Sequence, residues 1–205
     1  MADDHFDASA DTWDLEPGKA EESRRVADAI AARLALGGRE RLLEYGAGTG
    51  LVSQGLLPHV AGVTLADSSE GMRRVARGKV AAGALPAGTR VWDLDLETAE
   101  APGERFDLVV ASLVLHHVHD VPRVLAGFHG LLDAGGHVAI ADLDTEDGRF
   151  HAHLHDFDGH PGFDRARLAR WLEEAGFEEV AVEDCTSIDK DGTDFPVFLA
   201  TARRP

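Results

Sequence analysis

The sequence predicts an α/β fold, a seven-stranded and mostly parallel sheet flanked by helices with the last strand antiparallel. Short apolar runs alternate with helical stretches from residue 41 to residue 143, and strand, helix, strand alternation builds a parallel sheet with right-handed crossovers. A glycine-rich bend follows the first apolar run at residues 46–50, at the strand end where open α/β sheets take their ligands. The last two apolar runs, 178–183 and 195–202, have only 11 residues and no helical period between them. That is too little for a crossover, so they pair antiparallel.

Taken in order, residues 1–16 read as acidic and irregular. Phe6, Trp13 and Leu15 are large apolar side chains there, expected to fold back onto the body of the protein. From Pro17 to about Leu36, Val26, Ala27, Ile30, Ala31 and Leu34 recur at helical spacing, with Pro17 suited to a first turn and Gly37-Gly38 as the stop. Five strands follow at 41–45, 62–66, 89–93, 106–112 and 137–143, with helices between them at 50–59, 69–82 and 121–133. The stretch 96–105 is too short and polar for more than a turn. A helix at 164–175 precedes the final strand pair, joined by a charged loop. A single domain is expected, with a lid and helix at 1–36, a ligand-binding core at 40–143, a cover segment at 144–163 and the C-terminal helix and strand pair at 164–205.

The chain has 205 residues, 44% apolar and 28% charged, a composition able to bury a real core. With 37 acidic against 20 basic residues its formal net charge is −17. Nucleic-acid binding depends on Lys and Arg displacing counterions, and no basic run is present, so DNA, RNA and anionic membranes are poor partners. The single cysteine, Cys185, cannot form an internal disulfide. The opening MADDHFDASAD lacks the basic and apolar regions of a signal peptide, and no apolar run approaches the roughly 18 residues that span a bilayer. A cytoplasmic protein without membrane insertion is expected.

The segment RLLEYGAGTG at 41–50 runs from an apolar strand through Gly46, Gly48 and Gly50 into a helix. Glycine permits positive φ and leaves no Cβ, so a ligand can lie against the backbone. A dinucleotide fingerprint requires glycine where this chain has Leu51. Asp67 closes the second strand, where a carboxylate can accept two hydrogen bonds from a ribose diol. Asp67 alone does not separate nucleotide-dependent enzymes from others, and Ser68 or Ser69 is also a good helix cap.

The alternating glycines preceded by Glu44 resemble the first motif of the class I S-adenosylmethionine-dependent methyltransferases, (D/E)-x-G-x-G-x-G. Asp67-Ser68-Ser69-Glu70-Gly71-Met72 resembles that family's second motif, and FDLVVASLVLHHV at 106–118 its fourth strand. LLDAGGH at 131–137 resembles its L-L-x-P-G-G turn, with Ala134 in place of proline. The resemblance covers residues 41–143 and implies a Rossmann-like fold with S-adenosylmethionine as cofactor and S-adenosylhomocysteine as product. It implies that Glu44 serves the methionine amine, Gly46, Gly48 and Gly50 cradle the cofactor, and Asp67 with Ser68 holds the ribose. Met72 would pack near the ribose and adenine, Asp95 accept the adenine amino group with Leu96 over the ring, and Ser112 face the methyl donor. Asp93 stays open as the adenine acid. FDASADTWD at 6–14 also resembles the opening of menaquinone and ubiquinone-type methyltransferases.

Nine of the eleven histidines fall between His116 and His160. Their alternation at His151, His153 and His155 lacks the tight pair on one helix face that zinc sites usually show, and no metal is expected. An acceptor that must lose a proton needs a base, for which an imidazole is the usual candidate. His116, His117, His155 and His160 are the candidates. The segment 142–163 and the folded-back N-terminus should overhang the site, so Trp13, Arg149 and Phe157 are expected to touch a small-molecule acceptor. Two alternatives remain: an NAD-type oxidoreductase, which would share the sheet and Asp67, and a non-catalytic cofactor- or metal-binding module.

Overall fold

The computed structural model describes residues 2–152, 157–190 and 192–205. Its seven strands are β1 (Arg41–Tyr45), β2 (Gly62–Asp67), β3 (Arg90–Asp93), β4 (Phe106–Ser112), β5 (Leu132–Leu143), β6 (Glu178–Lys190) and β7 (Thr193–Arg203). They form one sheet in the order β3-β2-β1-β4-β5-β7-β6. The pairs β1 with β2, β1 with β4, β2 with β3 and β4 with β5 are parallel. Strand β7 runs antiparallel to both β5 and β6 and is the one reversed strand.

Both faces of the sheet are buried, and alternate residues divide cleanly between them, as a period of two requires. Leu43, Val109, Ala111, Val138 and Ile140 face one core, closed by Val124, Leu125 and Phe128 of α5 (Val121–Leu131) and Leu168 and Leu172 of α6 (Arg165–Glu174). Leu42, Leu108, Val110, Ala139 and Ala141 face the other, closed by Val26, Ala27 and Ile30 of α2 (Lys19–Leu34), Val52 and Leu56 of α3 (Leu51–Leu56) and Ala76 of α4 (Glu70–Ala81). From β1 the chain steps outward to β2 and β3, then returns to β4 and β5 on the other side. The switch between β1 and β4 opens a crevice beyond their carboxyl ends.

The structure differs from the sequence expectations at several boundaries. The N-terminus is not irregular: Ala2–Ser9 is a helix, α1, followed by a 3-10 turn at Trp13–Leu15. Phe6 and Trp13 do fold back, but Leu15 is 78% exposed, because a short turn can bury only one side. Pro17 lies outside α2, whose N-cap is Gly18 at φ 90°, and the helix ends at Ala35 in the left-handed region rather than at Gly37-Gly38. The 50–59 helix breaks into α3 and a 3-10 turn at Leu57–His59 beside Pro58. Strand β5 begins at Leu132, before the glycine turn, and its register to β4 shifts there.

The charged loop expected between the last strands is itself strand, so β6 and β7 form a long hairpin. Its polar residues belong to a sheet edge, where exposed charge discourages pairing with another chain, while Ile188, Phe195 and Val197 keep the apolar alternation on the covered face.

Candidate active site

Three glycines of the bend after β1 take positive φ, 62° at Gly46, 53° at Gly48 and 83° at Gly50. They do so for different reasons. A methyl group on Gly46 would lie 2.2 Å from Val114 Cγ2, and one on Gly50 2.8 Å from Leu65 Cδ1. Those two positions are closed by packing. At Gly48 the nearest atoms would be Met72 Sδ and Trp13 Nε1, each at 3.9 Å, so this backbone faces open space between β1 and the N-terminal segment. A cofactor can approach there.

Asp67, at the end of β2, fixes that loop. Its Oδ2 accepts the Gly48 N–H at 2.7 Å, and its Oδ1 accepts the Ser69 N–H at 2.9 Å. A carboxylate oxygen has two acceptor sites, so each can also receive a hydroxyl of a diol. Ser69 caps α4 by accepting Met72 N–H, which seats the buried Met72 under the loop. Ser68 lends its carbonyl, with that of Asp67, to the Arg73 guanidinium.

Glu44 is buried at the end of β1 and accepts the Ser53 N–H at 2.9 Å, capping the first turn of α3. Desolvation pushes its carboxyl up to about 7, so ionising it costs free energy that a cation placed beside it would offset. Asp93 is forked to Arg73 at 2.9 and 3.1 Å. Asp95 instead accepts from Glu97 N–H and Thr98 Oγ1–H, turning the chain so that Leu96 is buried. Beyond Ser112, Leu113 adopts φ 53°, a strained conformation for a branched side chain, and this bend brings Val114 against Gly46.

The N-terminal segment closes the crevice from above. Asp7 accepts from Ser69 Oγ–H and from Gly71 N–H, and Asp14 accepts from Thr49 Oγ1–H and pairs with Lys79. The Phe6 ring stands edge-on to both Trp13, at 5.8 Å, and His117, at 5.2 Å. Trp13 therefore lies beside the glycine loop, with the Phe6 ring between it and His117.

His116 and His117 sit on a 3-10 turn, Leu115–His117, after β4. The buried carboxylate of Asp142 on β5 lies 2.6 Å from His116 Nδ1 and also accepts Leu115 and Leu143 N–H. With both oxygens already accepting backbone N–H groups, Nδ1 is the donor to the carboxylate. Burial, then His116, His5 and Lys19 nearby, push His117 down to about 3. His151 packs against both, and Phe157 stacks on it at 3.9 Å. His160 donates its backbone N–H to the His116 carbonyl, and its ring packs on Phe163. His155 lies outside the described residues. Arg149 is exposed and paired with Asp147.

Sequence spacing missed Asp7, Asp14, Arg73, Asp142 and the approach of His151 to His116. Only Asp142 left a signal, an acid within the otherwise apolar run VAIADL.

This sheet order, glycine bend and strand-end acid make the fold that of the class I S-adenosylmethionine-dependent methyltransferases. The model of the methyltransferase domain family matches residues 19–182, and the chain belongs to that family. It is 36% identical over 146 residues to the biotin biosynthesis bifunctional protein BioCD of Bordetella avium, which covers 69% of this chain and 30% of that protein. It is 33% identical over 131 residues to the malonyl-(acyl-carrier protein) O-methyltransferase of Magnetococcus marinus, covering 62% and 48%. The chain thus spans a third to a half of these curated relatives. Among solved structures, the N-methyltransferase NodS of Bradyrhizobium japonicum with S-adenosyl-L-homocysteine superposes at a TM-score of 0.75, with 21% identity, over 100% of this chain and 97% of that one. No helix among the described residues is long and apolar enough to cross a membrane.

Proposed function

We propose that the protein transfers the methyl group of S-adenosylmethionine to a small-molecule acceptor. The observation that carries this is the open face of Gly48, gripped by Asp67 and roofed by Trp13, with the imidazoles of His116 and His117 beyond it. In this reading Asp67 receives the ribose hydroxyls and Glu44 faces the methionine amine, while Met72 and Leu96 give apolar surface to the adenosine, with Asp95 beside it. Ser112 borders the sulfonium. The cofactor supplies an activated methyl group, and the chain supplies alignment and water exclusion, which is the main demand of an in-line displacement.

The acceptor side is lined by aromatic rings. Phe6, Trp13, Phe157 and the histidines suit a small or slender group, and the chain's net charge of −17 repels nucleic acid. The test is to incubate the protein with labelled S-adenosylmethionine and a cell extract split by ultrafiltration. Label appearing in the low-molecular-weight fraction supports the reading. Label confined to protein or nucleic acid overturns it.

A further inference from the structure

We propose that His116, His117 and His151 form a binding site for one divalent first-row transition ion, zinc foremost, at the acceptor end of the crevice. One ligand nitrogen from each of the three lies within 4.8 Å of the other two. The rings approach at 4.3, 5.0 and 5.1 Å between centroids. Around a tetrahedral zinc with bonds of about 2.0–2.1 Å, ligand nitrogens stand about 3.4 Å apart. The gap closes by about 1 Å of movement, within reach of small rotations of the three side chains.

Two further features separate this cluster from imidazoles packed as filler. The first is Asp142, fully buried in β5 and 2.6 Å from His116 Nδ1. A carboxylate on the far nitrogen of a ligating imidazole fixes the tautomer and raises the basicity of the nitrogen left for the metal. The second is the surroundings. Phe157 stacks on His151, Phe150 meets it edge-on at 4.9 Å and Phe6 meets His117 at 5.2 Å, an apolar collar that holds the rings and limits water.

Three protein nitrogens leave a fourth position that a water or an acceptor oxygen can take. The site does not depend on the acceptor's identity. It draws on side chains from either side of β5, joining a turn after β4 to the cover segment, which is why residue spacing did not show it.

The protein, stripped with a chelator and returned to chelator-free buffer, is titrated with Co2+ and followed by its visible d–d absorption. One Co2+ per chain is expected, with the intensity of a four-coordinate ion, and Zn2+ should displace it. His117→Ala and His151→Ala should each weaken binding by about tenfold or more, and Asp142→Asn by about 10–100-fold, while His59→Ala leaves it unchanged. Circular dichroism melts report the fold of each variant, and His151→Gln stands in if an alanine variant does not fold. Absence of saturable Co2+ binding overturns the site, as does binding that survives unchanged in all of these variants.

Discussion

The Asp67 carboxylate holds the Gly48 N–H at 2.7 Å, tying the end of β2 to the bend after β1. Loop geometry is therefore carried by the same side chain to which the proposed function gives the ribose. Asp67→Ala should weaken S-adenosylhomocysteine binding by about 1.5–3 kcal/mol, the cost of losing charge-assisted hydrogen bonds. Calorimetric titration measures this, and unchanged affinity would remove Asp67 from the site.

The glycines of the same bend should separate in their effects. Gly46→Ala places a methyl 2.2 Å from Val114 at φ 62° and should cost about 2–4 kcal/mol of stability, from left-handed strain and overpacking together. Gly48→Ala meets nothing closer than 3.9 Å, so it should cost only the strain, about 1–2 kcal/mol, yet weaken cofactor binding. Denaturant unfolding of both variants beside a binding assay checks the contrast. Equal losses of stability would contradict it.

Glu44 gives the protein a pH dependence with a definite sign. Its folded value, about 7, lies above the ordinary 4.5 because burial disfavours the charge. The stability it contributes is therefore complete below about 4.5 and is lost as pH rises through about 7. Glu44→Gln should melt higher than the parent protein at pH 8, by up to about 3 kcal/mol, and close to it at pH 4.5. The same change should weaken S-adenosylmethionine binding, since the methionine amine loses its carboxylate. Melting curves across this range that run parallel for the two proteins would refute the assignment.

The N-terminal roof predicts a spectroscopic signal. Trp13 Nε1 lies across the open space from Gly48, so cofactor binding should change tryptophan emission, and Trp13→Phe should abolish that change. Asp7→Ala removes the bonds to Ser69 and Gly71 and should speed cofactor release in stopped-flow displacement. A signal that persists without Trp13 would place the roof elsewhere.

Much of this architecture is legible in the chain because the sheet is buried on both faces, so its strands stand out as apolar runs. Strand β4 and the helix from Glu70 fall where periodicity puts them. The β6–β7 hairpin does not, since edge strands carry polar residues such as Asp184, Thr186 and Asp189 that resemble a loop. At the site, Glu44 and Asp67 are readable because they sit at fixed distances from the glycine bend and at the end of an apolar strand, as in the motifs they resemble. The meeting of His151 with His116 and Asp142 is not, because it depends on how a segment of irregular backbone settles over the sheet. Arg149 shows the converse: a plausible residue in the right segment, paired instead with its neighbour Asp147.

The most direct test is a pair of calorimetric titrations, one with S-adenosylhomocysteine and one with NADH. Saturable binding of one S-adenosylhomocysteine per chain, lost in Gly48→Val, with no heat from NADH is the predicted result. Binding of NADH alone would contradict the account of the crevice.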